Sequence, residues 1–425
     1  MISNQPSGNV RWIVVILLFF ATTINYVDRQ ILSLIKPILD KELGWSNTDF
    51  GLVNSAFQGA YGLSLLFFGW FVDRFGAKIG YAVSIAFWSV AAMAHSFAGT
   101  ATGFFLARAA LGLGEGGNFP AAIKSVALWF PRSERAFATS IFNAGTNAGA
   151  IIAPAVVPVI ALTWGWQWAF IGAGVLGLIW LLFWMPWFDV PHKKSLSAEE
   201  VSYIHSDRED ESKEPPVQWI NLLSFRQTWA FILPKFFTDP VWWFFLIWLP
   251  DFFNKRGLEI KTSWVHLVSI YTIVTILSIS GGWLTGYFIG KGWTVNRARK
   301  TGMLIFAFCA VPILFVTSVG NWIVVLLIGL AGAAHQAWSA NLYTTVSDMF
   351  PKSAVASVIG IGGMAGAIGG MLFPPFVGKI LDQTTASGGG ESGYGIIFAI
   401  CAFAYLFSWV IMYVLTPDMK KIRST

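Results

Sequence analysis

The chain has 425 residues, of which 55% are hydrophobic and only 12% charged, against roughly 25% charged in an ordinary soluble protein. A mean hydropathy of +0.62 is more apolar side chain than a soluble fold of this length can bury, so the chain is read as an integral membrane protein. The net charge of +6 would suit nucleic acid, but the basic residues collect in loops on one side of the membrane, so the expected partner is the bilayer and no nucleic acid.

A membrane crossing takes about 20 apolar residues, and about twelve such stretches follow one another. They run over 11–37, 49–71, 79–98, 102–130, 135–160 and 165–187, then over 228–252, 262–290, 300–319, 321–349, 353–381 and 393–415. The first is too long for a signal peptide, lacks a small-x-small cleavage site and carries Asp28-Arg29, so it is read as retained. Trp12, Trp45, Trp129, Trp164 and Trp166 fall near span ends, where an aromatic belt belongs. Cys309 and Cys401 lie inside spans, so no disulfide is expected.

The one long polar segment, 189–227, holds Lys193-Lys194, Glu199-Glu200 and Asp207–Glu211 and reads as a cytoplasmic linker. It divides the chain into a six-span bundle over 1–188 and another over 228–425. Arg74, Lys78, Arg132, Arg135, Lys193, Lys194, Lys291, Arg297, Arg299, Lys300, Lys420, Lys421 and Arg423 share one side. Lys36, Lys41, Lys255, Arg256 and Lys261 are the main cations opposite. That bias places both termini in the cytoplasm.

In the first span Asn25, Tyr26, Asp28 and Arg29 occupy neighbouring helical faces. The fourth carries Arg108 and Glu115 on one face, two turns and about 10 Å apart. That is too far for a relaxed direct pair, yet room for a substrate, a water or a first-span residue between them. An Arg or Asp at a helix centre costs roughly 2.5–3.5 kcal/mol, so Asp28, Arg29, Arg108 and Glu115 facing lipid would cost about 10 kcal/mol. Charges kept at that depth face a protein interior or a wet path and mark ion or proton movement. Arg29 offers a planar, permanently charged fork for a carboxylate, and Asp28, partly desolvated, is suited to carrying a proton. Gly112-x-Gly114-x-x-Gly117 formally matches a dinucleotide fingerprint, but without a preceding strand it is read as helix packing.

Later in the chain, Lys235-Phe-Phe-Thr-Asp239-Pro240-Val-Trp242-Trp243 puts a lysine and an aspartate one turn apart beside prolines, and a broken helix is expected there. His335-Gln336-Ala-Trp338-Ser-Ala-Asn341 sets imidazole, amide and aromatic groups on one stretch, a collection suited to a ring bearing many hydroxyls. Glycines 362, 363, 366, 369 and 370, with Gly145 and Gly149, allow close helix approach. Gly388–Gly390 reads as an external loop. Neither a nucleophile–base pair nor metal-ligand spacing is evident, so no enzyme, metal or cofactor is expected.

The halves echo one another. Phe130-Pro131-Arg132-Ser133 with Pro154 recurs as Phe350-Pro351-Lys352-Ser353 with Pro374, and the same offset carries Gly112 onto Gly332, Gly149 onto Gly369 and Glu115 onto His335. Gly69-x-x-x-Asp73 is answered by Gly282-x-x-x-Gly286. Parallel six-span repeats with substrate near the midplane are the architecture of major facilitator transporters. Gly69-Trp-Phe-Val-Asp73-Arg74-Phe-Gly76-Ala-Lys78 resembles the signature loop of that superfamily. The resemblance implies an all-α fold of twelve transmembrane helices in two six-helix bundles, with Asp73 and Arg74 in a cytoplasmic gate. Gly286 at the second aspartate position implies a weaker gate in the other half.

Tyr-x-Asp-Arg in the first span, Tyr61 in the second and Arg-x6-Glu in the fourth together resemble the anion:cation symporter branch, whose bacterial members take up sugar acids with protons. The resemblance implies Arg29, Tyr26 and Tyr61 for substrate, Asp28 and Glu115 for protons, and Arg108 coupled to Glu115. His-Gln-Ala-Trp-Ser-Ala-Asn and Asp-Pro-Val-Trp-Trp-Phe look like the hexuronate transporters within it. Arg108, Asn118, Lys235, Asp239, Trp242, His335, Gln336, Trp338 and Asn341 are the further substrate candidates. The expectation is a monomeric, proton-coupled importer of a hexuronate in a bacterial inner membrane, working by alternating access. An aldonate or glucarate symporter and a non-transporting membrane sensor of sugar acids are the rival readings.

Overall fold

The computed structural model describes residues 10–189, 191, 196, 198–204, 219–387, 392–420 and 422. Most of the expected linker charges, the loop at Gly388–Gly390, and Lys421 and Arg423 lie outside the described residues. The elements are α1 (Val10–Leu34), α2 (Lys36–Leu43), α3 (Asn47–Ala94), α4 (Ala101–Glu115), α5 (Asn118–Trp129), α6 (Arg132–Trp164), α7 (Trp166–Trp187), α8 (Ala198–Ile204), α9 (Trp219–Leu222), α10 (Arg226–Lys255), α11 (Ile260–Gly290), α12 (Val295–Ala310), α13 (Asn321–Met349), α14 (Lys352–Ala386) and α15 (Ser392–Leu415). Single 3-10 turns follow α3 at His95–Phe97 and α12 at Val311–Phe315. Among the described residues the protein is all helical.

Among the described residues, ten helical runs are long and apolar enough to cross a membrane. One of them, Asn47–Phe97, has 51 residues and at 1.5 Å per residue would reach about 75 Å, more than twice a bilayer core. It turns at Gly76, whose φ of 84° and ψ of 161° interrupt the helix. The stretch expected as one span over 102–130 is instead two helices, α4 and α5, parted at Gly116-Gly117. Two successive glycines weaken the helix there, and their backbones lie against Ser64 and Ser84 of α3. The break falls directly after Glu115.

The helix expected to break at Pro240 does not. α10 runs unbroken over 30 residues with Pro234, Pro240 and Pro250 inside it. Each proline removes one backbone donor, and neighbours accommodate the loss. Gly369 of α14 packs against the Phe236 carbonyl that Pro240 leaves without its amide.

The sequence echo has a structural counterpart. Phe130 ends α5 and Phe350 ends α13, both extended, and Pro131 and Pro351 start the next helices with φ of −61° and −63°. A proline suits that position because its missing N–H is one the first turn leaves unbonded anyway. Thr100 and Thr294 cap α4 and α12 by accepting from the amides of Gly103 and Arg297.

The chain forms two compact units, one of Met1–Ile35 with Gly59–Lys213, the other of Lys36–Gln58 with Glu214–Thr425. In the first, α1 packs mainly on α6 and α7. The linker helix α8 fastens to it through Tyr203, whose hydroxyl donates to Glu134 at 2.9 Å while Arg11 pairs with the same carboxylate at 3.1 Å. In the second, α10 packs on α14 and α15, and α11 on α13. Large apolar side chains such as Phe20, Leu63, Leu182 and Val414 stay exposed, as they must on a surface solvated by acyl chains.

Candidate functional site

The charged residues of the first and fourth expected spans meet in the first unit. α1 places Arg29 opposite Glu115 at the end of α4, with Nε 2.6 Å from Oε2 and both side chains buried. The gap foreseen between Arg108 and Glu115 is thus filled by a first-helix residue. Arg108, 1% exposed, donates through Nη2 to the Arg29 backbone carbonyl at 3.0 Å, which ties α4 to α1 beside the ion pair. The guanidinium of Arg29 lies 4.9 Å from the ring of Tyr26 and 4.6 Å from that of Tyr61. Both tyrosines are half-buried, so two aromatic rings lie against a cation whose Nε meets Glu115.

Asp28 is 1% exposed, and neither of its oxygens has a hydrogen-bond partner among the described residues. A buried carboxylate without a donor is costly as an anion, and a proton removes that cost. Such close approach of α1 to α6 needs Gly149, where a Cβ would stand 2.6 Å from the Thr23 carbonyl and 2.7 Å from the Tyr26 Cβ. Asn118 sits beyond the break and is fully buried, accepting from the Tyr81 hydroxyl, apart from the Arg29 cluster.

The second-unit candidates fall into three polar groups among the described residues. On α10 the Lys235 ammonium pairs with Asp239 at 2.5 Å and donates to the Tyr343 hydroxyl of α13 at 3.0 Å. Gly366 of α14 leaves room for that carboxylate, since a Cβ there would overlap Asp239 Oδ2. Trp242 stacks on His335 with centroids 5.5 Å apart and planes at 5°, and His335 Nδ1 shares a 2.8 Å hydrogen bond with the Tyr405 hydroxyl. Trp338 is wholly buried, edge-on to Tyr405. Asn341 accepts from Arg299 at 3.1 Å and donates to the Ala337 carbonyl at 2.9 Å, so both ends of its amide are engaged inside the protein. Gln336 is half-buried on the next face of α13.

At the expected gate, Asp73 is largely exposed and accepts from Lys124 of α5 at 2.8 Å, while the same ammonium bonds the Val72 carbonyl at 3.0 Å. Arg74 is exposed beside it. In the other half, where glycine replaces the aspartate, Arg299 pairs with Asp348 at 3.1 Å. Sequence reasoning did not single out Lys124, Tyr343, Tyr405, Arg299 or Asp348 for these contacts. Lys124 could have been found as a lone cation two turns after Asn118; nothing in the sequence sets Tyr343 and Tyr405 apart from the other hydroxyls of their spans.

Long apolar helices, matched junctions in both halves and a buried Arg–Glu pair fit a membrane transporter. The profile of the Major Facilitator Superfamily matches residues 18–374, and the chain belongs to that superfamily. It is 31% identical to the hexuronate transporter of Escherichia coli (strain K12), covering 97% of this chain and 96% of that one. It is 27% identical to the probable galactarate/D-glucarate transporter GarP of the same strain, covering 95% and 96%. Among solved structures, the D-xylose-proton symporter superposes with a TM-score of 0.73 at 15% identity, over 97% of this chain and all of the other. The protein is therefore a multi-pass membrane transporter of bacterial type.

Proposed function

We propose that the protein is a proton-coupled symporter that imports a hexuronate by alternating access. It would be a monomer of twelve spans in a bacterial inner membrane, its six-span bundles joined by a cytoplasmic linker and both termini cytoplasmic. The observation that carries this reading is the buried Arg29–Glu115 pair. A guanidinium already held by a carboxylate cannot also hold a substrate carboxylate in the same fork. A proton on Glu115 discharges its side of the pair and turns the planar Arg29 cation toward the sugar acid, the anion it is best suited to hold. Asp28, buried without a donor, takes up a second proton beside it. Loss of these protons on the cytoplasmic side restores the pair and expels the anion.

Tyr26 and Tyr61, already against the guanidinium, would flank the bound carboxylate, and Arg108 would keep α1 in register. Asn118, Lys235, Asp239, Trp242, His335, Gln336 and Trp338 are the further substrate candidates. Of these, half-buried Gln336 suits a sugar hydroxyl best. Asn341 would reach one only by giving up Arg299 or Ala337. Asp73 with Arg74 forms the cytoplasmic gate, and the Lys124 bond supports a closed-gate role for the aspartate.

The 31% identity to a hexuronate transporter supports the choice of anion, and the similarity to the galactarate/D-glucarate transporter names its nearest competitor. The test is uptake of labelled glucuronate into proteoliposomes with and without an inward pH gradient, competed by an aldonate and by glucarate. Gradient-driven accumulation displaced best by hexuronates is expected. Accumulation indifferent to the gradient refutes proton coupling, preferential displacement by glucarate or the aldonate refutes the hexuronate, and binding without uptake would indicate a sensor.

A further inference from the structure

The turn between α11 and α12 carries two cations on a ladder of aromatic rings. α11 ends at Gly290, and Gly292, at a φ of 85°, reverses the chain toward Thr294 and the start of α12. The Trp293 amide donates to the Phe288 carbonyl at 3.1 Å and the Gly292 amide to that of Ile289 at 2.9 Å, a pattern that closes a helix end rigidly. It stacks Trp293 on Phe288, with centroids 4.7 Å apart and planes at 11°. Tyr287 meets Phe288 at 6.1 Å and stacks on Trp283 at 5.5 Å. The Arg297 guanidinium lies 4.2 Å from the centre of the Trp293 ring, and the Lys291 ammonium 5.5 Å from that of Tyr287.

The two halves of the sequence echo differ here in charge. In the first unit the chain supplies its own carboxylates: Asp73 takes Lys124 at 2.8 Å and Asp189 takes Lys78 at 3.3 Å. In the second, Gly286 stands at the aspartate position. Asp348 is taken by Arg299 and Asp418 by Lys420. Among the described residues neither Lys291 nor Arg297 forms an ion pair, and both are exposed. An aromatic ring satisfies none of the five N–H donors of a guanidinium, so those of Arg297 suit a phosphate.

The position of the ladder says what supplies that anion. α11 is long and apolar enough to cross a membrane, and Trp283 and Tyr287 on its last two turns are 66% and 47% exposed. A tryptophan and a tyrosine exposed at the end of a span belong at the level of the lipid headgroups. Cations there meet the negative surface of an acidic membrane. Ile289 and Val295, exposed on either side of the turn, offer apolar surface to the acyl chains.

We propose that Lys291 and Arg297, held on Tyr287 and Trp293, bind the phosphate of an anionic phospholipid at the turn between α11 and α12. The lipid supplies the negative charge that Asp73 and Asp189 give the first unit. None of these residues is a candidate for the transported anion or the proton, so the site holds whatever the protein carries.

Native mass spectrometry of the purified full chain in detergent tests this by counting bound lipid as dioleoylphosphatidylglycerol or dioleoylphosphatidylcholine is added. The first phosphatidylglycerol is expected to bind at least tenfold tighter than phosphatidylcholine. A basic residue beside an anionic lipid is worth about fivefold in affinity, so Lys291→Gln combined with Arg297→Gln should weaken phosphatidylglycerol about 25-fold. Gly286→Asp restores the carboxylate of the other half at a position where a Cβ meets nothing within 4 Å. It should weaken phosphatidylglycerol at least threefold and leave phosphatidylcholine unchanged. Lys261→Gln combined with Lys379→Gln removes as much charge from exposed positions elsewhere and should stay within twofold of the parent. Equal affinity of the parent for the two lipids overturns the site. So does a phosphatidylglycerol affinity within twofold of the parent in either variant of the turn, or an equal loss in the control. A large excess of inorganic phosphate should leave the lipid bound; its displacement would assign the cations to a free anion and overturn the lipid.

Discussion

Replacing Arg29 with lysine keeps a positive charge beside Tyr26 and Tyr61 but removes the planar guanidinium whose Nε now meets Glu115 at 2.6 Å. A lysine ammonium is a point charge on a flexible stem and cannot present two parallel N–H groups to one carboxylate. One charge-assisted hydrogen bond is worth about 1.5–3 kcal/mol. Losing the flat guanidinium face against two aromatic rings, 4.9 and 4.6 Å away, adds about 1 kcal/mol. The combined loss of about 3 kcal/mol corresponds to a weakening of on the order of 100-fold in apparent affinity. Counterflow of labelled glucuronate in proteoliposomes, measured against substrate concentration at one pH, isolates binding from the driving force. Arg29→Lys should raise the half-saturating concentration by about two orders of magnitude while thermal stability in detergent stays near the parent, since a cation still faces Glu115. A half-saturating concentration within threefold of the parent would refute the assignment of Arg29 to the carboxylate.

Glu115→Gln removes the group that must gain and lose a proton yet keeps an acceptor for Arg29. Gradient-driven accumulation should vanish while counterflow persists, and normal concentrative uptake would count against Glu115 as a carrier. Gly366→Ala sets a methyl group on Asp239 Oδ2 and forces that carboxylate away from Lys235. Overpacking of this kind costs about 1–3 kcal/mol, so a melting point unchanged from the parent would show that the pair tolerates displacement. Arg256→Ala leaves Asn321 Oδ1 and the carbonyls of Val316 and Val319 without their donor. A fall in thermal stability worth about 2 kcal/mol is expected, with the affinity for glucuronate unaltered; a shifted affinity at full stability would contradict a structural role.

Much of the architecture is legible in one dimension because a bilayer imposes a local rule. Each crossing must be a long apolar helix that satisfies its own backbone, so hydropathy alone locates α13 at the expected 321–349 and α15 within one residue of the expected start. The Phe-Pro junctions before α6 and α14 were equally readable, since proline acts on the residue before it and on its own donor. Local rules failed where packing overrode them. Pro240 did not break α10, because α14 packs over the carbonyl it leaves. Gly116-Gly117 did divide the fourth span, because two serines of α3 receive the backbone.

The chemistry of the site divides along the same line. Composition and spacing gave the expectation that Asp28, Arg29, Arg108 and Glu115 lie in apolar surroundings and need partners, because an unpaired charge there is too costly to keep. Only the tertiary structure decided which charge meets which: Glu115 takes Arg29 from a helix 86 residues away, Asn341 is drawn to Arg299, and Lys36 finds Asp251 across 215 residues. Hydropathy and helical period act over a turn or a span. The partner of a buried ion is set by which helix surfaces fit closely enough to exclude water, and glycines such as Gly149 govern that fit through contacts with residues distant in the chain.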